Sequence, residues 1–317
     1  MAKARFHLPG LRYNYPLNMF WMNMLKQYPQ YFYDDVEIGS CFGEFPLSLW
    51  NGGRLAIHDQ CDAGFIKAVV KNINSMGVPV RYTYTNPLIT EEDLDDPYCN
   101  FCMQVADNGM NEVMIFSPIL EKYLREKYPS FAFNSSTCKE IKDIDTLNEE
   151  IAKPYKYVVL DYNLNNQWDL LKKVEHPEKL EVLVNTLCEP ACPRRGKHYE
   201  NVSKNQRIAL ANRNLPKEKQ IPIIPWYCEY GDKNCIHSIM DYPTVIKPQD
   251  VYEKYIPMGI TNFKIEGRTA NLFSLIDTYC MYMIKPEYMG TARLLIINNL
   301  TNMGVISVNK PKPSHWP

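Results

Sequence analysis

What the chain lacks narrows it first. Its 317 residues contain no apolar run near the ~20 residues that a membrane-spanning helix needs. The opening stretch, Met1 to Gly10, has no apolar core of the secretory kind, so a cytoplasmic location is expected. Excess charge is almost absent: 35 Lys and Arg against 36 Asp and Glu leave -1, which excludes a bulk pull toward nucleic acid or a membrane surface. No Gly-rich phosphate turn follows the first strand-like run, which argues against an open dinucleotide-binding sheet. No His-Glu-x-x-His motif and no nucleophile–base pair stands out. There is no internal repeat and no low-complexity segment. The remaining composition, 45% hydrophobic and 22% charged, is that of an ordinary globular protein with one large domain or two smaller ones.

What is present is alternation. Strand-like runs fall at 36–39, 78–84, 112–116, 131–133, 156–160, 180–185 and 260–266. Helix-like stretches lie between them, as in 60–76, where Phe65, Val69, Ile73 and Met76 share one face. About eight β/α units predict a parallel sheet with helices outside, and the length suits a (β/α)8, TIM-barrel-like domain over 36–317. Residues 1–35, rich in Tyr, Met, Phe and Pro, read as an N-terminal cover segment. A Lys/Arg/Asn-rich stretch at about 200–225 reads as an insertion of helix plus surface loop after the sixth strand, and 271–284 as the last long helix. In such barrels the chemistry sits at the C-terminal strand ends. Here those ends carry Cys41 and Glu44, Asn86, Ser117, Asn134 to Ser136, Asp161, Asn185 and Cys188, and Glu266 to Arg268.

Ten cysteines in a reducing compartment point to thiols or metal ligands rather than disulfides. Two clusters dominate, Cys188-x3-Cys192 directly after the 180–185 strand and Cys228-x6-Cys235 further on. Four thiolates suit an iron–sulfur cluster or a zinc ion. The Cys-x2-Cys knuckles of zinc fingers are missing from both clusters, and Arg195 occupies the place where radical S-adenosylmethionine chemistry would want a third cysteine. Cys41 is a reserve ligand, and Cys99-x2-Cys102 a weaker redox or metal pair. Cys61, Cys138 and Cys280 read as buried thiols. Arg194, Arg195, Lys197 and His198 follow the first cluster. Arginine there suits an anionic substrate, and His198 is a candidate proton donor or acceptor.

The run Gly259 to Arg268 (Gly-Ile-Thr-Asn-Phe-Lys-Ile-Glu-Gly-Arg) resembles the G-I-x-x-[FL]-K-I-E-G-R signature of the collagenase-like peptidase family, U32. The Asn-Ser-Ser strand end at 134–136 and the Leu-Glu-Val-Leu-Val-Asn run into Cys188 fit the same resemblance, which extends over roughly 36–283. It implies a barrel and a four-cysteine [4Fe–4S] cluster, as in members that hydroxylate ubiquinone precursors or RNA bases without oxygen. This chain departs from the family's C-x6-C segment at Cys188-x3-Cys192, and the x6 spacing appears instead at Cys228 and Cys235. With the resemblance, Lys264 and Glu266 join His198 as catalytic candidates. Arg268, Arg194, Arg195, Asn185, Asp161 and Glu44 are substrate-binding candidates. The expected function is an iron–sulfur redox enzyme acting on a small or nucleobase substrate, with oxygen-independent hydroxylation as the reaction the resemblance suggests. The alternatives are a metal-stabilised hydrolase and a non-catalytic cluster-binding partner protein, docked through the aromatic segment from Tyr13 to Tyr33.

Overall fold

A computed structural model describes residues 3–53, 59–230, 235–268 and 270–307. Eight parallel strands close into one barrel in chain order. They are β1 (Ala4–Pro9), β2 (Val36–Gly43), β3 (Val80–Tyr84), β4 (Glu112–Ile115), β5 (Ala132–Ser135), β6 (Tyr157–Val159), β7 (Leu180–Leu183) and β8 (Asn262–Lys264). The seam is made by β1, whose Arg5, Phe6 and His7 stand opposite Asn262, Phe263 and Lys264 of β8.

The predicted cover segment is therefore corrected: residues 4–9 are a barrel strand, and α1 (Tyr15–Gln27) is the helix that follows it. The reason lies in side-chain direction. Ala4, Phe6 and Leu8 face outward into the apolar layer, as the period of two requires, and His7 turns inward. The aromatic stretch from Tyr13 to Tyr33 packs Leu17, Trp21, Met22, Met24 and Phe32 into the core. Trp21 is fully buried, edge-on to Tyr279 at 5.1 Å and to Phe32 at 5.5 Å. Asn18, also buried, donates to the carbonyls of Pro9 and Gly10 and locks the end of β1.

The outer helices begin where the sequence supplies caps. Asp62 accepts from the Phe65 N–H at the start of α2 (Ala63–Ser75), whose Ile66, Val69, Val70 and Ile73 are buried. Asp96, Ser117 and Asp143 cap α3 (Pro97–Ala106), α4 (Pro118–Lys127) and α5 (Ile144–Ala152) in the same way. A short α6 (Trp168–Leu171) precedes β7. Two further corrections concern placement. The expected insertion follows the seventh barrel strand, and its helix, α7 (Arg195–Asn212), begins ahead of it at Arg195. After β8, α8 (Leu272–Met283) is not the last helix, because α9 (Met289–Asn302) follows it.

Inside the barrel, the lower layers are ionic. Arg81 of β3 is fully buried and donates to Glu112 of β4 at 2.6 Å and to Glu181 of β7. His7 shares Nδ1 with the Ser40 hydroxyl at 2.8 Å and with Arg81 at 3.2 Å. Asn134 and Lys156 donate to Glu112 at 3.0 and 2.5 Å. Burial, reinforced by Arg81, pushes the His7 imidazole down to about 3, so it is neutral. Burial alone would raise the Glu181 carboxyl, but Arg81 foremost, with Lys264, outweighs it and holds it at about 2. Removing one member of such a buried set strands a charge and costs about 3–5 kcal/mol.

Candidate functional site

A cavity of ≈ 350 Å³ opens at the C-terminal ends of the strands. Its floor includes Phe42 from β2, Thr83 from β3, Met114 from β4, Leu183 from β7 and Lys264 from β8. One wall is Thr186 to Glu189 with Cys192, and another is Glu266 to Arg268. The rim comes from the start of α7 and from Trp226 to Tyr230.

The cysteine loop and the final strand are tied together. Asn185 Nδ2 donates to the Glu266 carbonyl at 2.9 Å, and the Glu266 N–H returns to Asn185 Oδ1 at 2.7 Å. Glu266 Oε2 then accepts the Leu187 N–H at 3.0 Å, one residue before Cys188. Glu266 thus holds the cysteine loop in place, while its side chain also lines the cavity. Gly267 sits at φ +151°, and a Cβ there would meet Leu275 at 2.9 Å. Only glycine turns the chain here. Beyond it, Arg268 is aimed at Glu44 (2.6 Å) and Thr83 Oγ1 (2.8 Å).

Of the predicted site residues, Cys188, Cys192, Cys228, Arg194, Arg195, His198, Lys264, Glu266 and Arg268 all line this cavity. Asn185, Asp161 and Glu44 are buried behind its walls as partners of the residues that line it. The Arg195 guanidinium, 3% exposed, grips both oxygens of Asp161 at 3.2 and 2.6 Å, donates to the Thr137 carbonyl, and lies over the Tyr162 ring. It holds α7 to the end of β6. Arg194 donates to the Tyr227 carbonyl and to Glu229, both at 3.0 Å, and covers Trp226.

The rim has its own construction. Asn212 and Asn205 of α7 each pair through their amides with the backbone of the returning segment, at Ile221 and Ile224, over 2.8–2.9 Å. His198 then stacks on Trp226, ring centroids 5.0 Å apart and 6° from parallel. His198, Asn205 and Asn212 recur every seven residues, so they form one stripe of the helix. The segment is a strap laid along α7, and it carries Cys228 to the cavity.

The thiols divide sharply. Cys99 and Cys102 are buried on α3 and Cys41 within the core; burial raises all three, Cys41 to about 12. None lines the cavity, so neither the reserve ligand nor the Cys-x2-Cys pair reaches it. Cys138 does, contrary to its reading as a buried thiol: it sits in the turn after β5, half-buried on the cavity wall. No partner at metal-ligand spacing marks it in the sequence. Cys188 is raised by burial, with the Tyr162 hydroxyl and neighbouring Cys192 beside it. Cys235 opens the Ile236–Ser238 turn outside the cavity wall, past residues 231–234, which are outside the described residues. The donor types fit a soft metal, and three of the four expected thiols face one space. Among the described residues, no three His, Cys, Asp or Glu side chains are within ligating reach of one another. No described helix is long and apolar enough to cross a membrane.

No protein-family model and no curated protein matches the chain. Among solved structures, the U32 peptidase Mk0906 is similar in fold. It is 12% identical, covers 86% of this chain and 95% of its own, and has a TM-score of 0.47.

Proposed function

We propose that this barrel is a redox enzyme of U32 type that binds a small, polar, anionic molecule or an exposed nucleobase in the mouth cavity, beneath an iron–sulfur centre held by cysteine. The observation that carries the reading is the meeting of Cys188, Cys192 and Cys228 with Lys264, Arg194 and Arg268 around one cavity. Cys188 and Cys192 from the β7 loop and Cys228 from the strap would hold the centre, which supplies electron transfer when bound.

The chain's own groups do the rest. Asn185 and Glu266 fix the loop that presents Cys188. Arg195 and Asp161 anchor α7, so that His198 and Arg194 stand at the rim. Lys264 and Arg268 supply positive charge at the floor and wall for an anionic group, and His198 is placed to hold or release a proton at the entrance.

Iron, acid-labile sulfide and zinc content of anaerobically purified protein test the reading. Iron and sulfide near four each per chain, falling in Cys188→Ala and Cys192→Ala, support it. Zinc in their place, or no metal at all, overturns it and leaves the hydrolase or partner-protein readings.

A further inference from the structure

Lys264 differs from the other cations of the barrel interior. Arg81 bonds to Glu112 and Glu181, Arg268 to Glu44 and Thr83, and Lys156 to Glu112. The Lys264 amine reaches Glu181 Oε1 only at 3.5 Å, and that oxygen accepts no hydrogen bond. Its nearest acceptor is the Met114 thioether at 3.0 Å, a weak one, and it lies 4.3 Å from the centre of the Phe42 ring. The charge count agrees. Glu112 and Glu181 are matched by Arg81 and Lys156, so a protonated Lys264 adds a third cation to two anions.

The titratable groups facing it are Glu181, Arg81, Arg268 and the Cys138 thiol, with His7 neutral. Burial first, then Arg81 and Arg268, lowers its pKa to about 8 against the opposing pull of Glu181. At pH 7.5 roughly a quarter of such an amine is unprotonated, against about 0.1% of an ordinary lysine. An amine that is both part-neutral and on the floor of an open cavity is a nucleophile in waiting.

We propose that Lys264 captures a small aldehyde or ketone in the mouth cavity as a covalent imine. The neutral Nζ adds to the carbonyl carbon, and a proton passes from nitrogen to oxygen to give the carbinolamine. Water then leaves as C=N forms, so one carbonyl and one amine yield one imine and one water, with no change of oxidation state. The half-apolar collar of Phe42, Met114 and Leu183 favours loss of that water. The proposal rests on this cavity being the substrate site, and it does not depend on which metal the thiolates hold.

Wild-type protein, prepared anaerobically and assayed for metal in the same sample, is incubated with glyoxylate or acetaldehyde. Sodium cyanoborohydride is then added, and the adducts are mapped by peptide mass spectrometry. The expected result is one reduced adduct per chain on Lys264, formed at least tenfold faster than on surface lysines. Its rate should rise with pH through an apparent pKa near 8. Lys122→Arg, at a position away from the cavity, retains the adduct and Lys264→Met loses it. Labelling spread over surface lysines, with Lys264 unmodified or no faster than they are, overturns the proposal. Because the mapping uses wild type, the test decides even where Lys264→Met does not fold. Metal without the adduct sinks this inference alone, and the adduct without metal sinks the redox reading alone.

Discussion

Asn185 and Glu266 bind each other twice, side chain to backbone in both directions, at 2.9 and 2.7 Å. This clamp joins the loop after β7 to the chain leaving β8, and the Glu266 carboxylate extends it to the Leu187 N–H. The cysteine loop therefore takes its position from the last strand of the barrel. Asn185→Ala strips both bonds and leaves two part-buried backbone groups of Glu266 unpaired, which costs about 1–3 kcal/mol each where water cannot replace them. A lower urea midpoint with unchanged slope is the expected result. The same midpoint as wild type would mean that the clamp does not hold the loop.

Arg195 and Asp161 read from the sequence as substrate contacts, and the structure commits them to each other. Arg195→Met leaves Asp161 buried without its cation, and a loss of about 3–5 kcal/mol follows. Pairing it with Asp161→Leu recovers much of that loss, because no uncompensated charge remains. Chemical denaturation of the two single variants and the double variant measures this coupling. A substrate-gripping arginine would instead leave stability intact.

Lys264 makes stability depend on pH in a direction opposite to most lysine pairs. Its folded pKa, about 8, lies below the ordinary lysine value of 10.5. The folded state thus disfavours the charged form, and that penalty is fully present below pH 8. It is relieved as pH climbs from 8 to 10.5, by about 3 kcal/mol across the window. The difference in unfolding free energy between wild type and Lys264→Met, followed across the same window, should grow in favour of wild type by that order. A flat difference would place the amine at its ordinary value.

The strap depends on two amides. Asn205→Ala and Asn212→Ala each remove a pair of bonds to its backbone, about 1 kcal/mol apiece at this exposed site. Hydrogen exchange at Ile221 and Ile224 should quicken severalfold in the matching variant, while β-strand amides stay protected. Trp226→Ala should act on the same segment by removing its stack on His198.

Much of the barrel is legible in the sequence because its strands alternate with capped, amphipathic helices. Asp62, Ser117 and Asp143 mark helix starts ahead of periodic apolar positions. Strand β1 hides because its inward positions carry Arg5 and His7 in place of apolar side chains, so only Ala4, Phe6 and Leu8 remain as a pattern. Helix α7 is legible as a helix within the insertion but not in its bounds, because it is polar on nearly every face, with Arg195, Asn201, Ser203 and Gln206 among its buried residues. At the site, strand-end position and spacing bring forward Cys188 and Cys192, and the resemblance of the Gly259–Arg268 run brings forward Lys264 and Arg268. They do not separate residues that line the cavity from those that hold them: Asp161, Asn185 and Glu44 look alike in a sequence and differ only in what they face. Cys138 has no spacing partner to announce it. The ionic interior escapes notice because His7, Arg81, Glu112 and Glu181 lie on four separate strands, far apart in the sequence.

Over residues 221–224 the strap is gripped by its main chain, since Asn205 and Asn212 bind the peptide groups of residues 221 and 224. Such a fastening is blind to what the strap displays. Ile221, Ile223 and Ile224 are exposed and can be exchanged without loosening it. The mouth of this barrel therefore has a replaceable face: new residues there can retune what approaches the cavity, while the helix that carries the strap and the chemistry below it stay as they are.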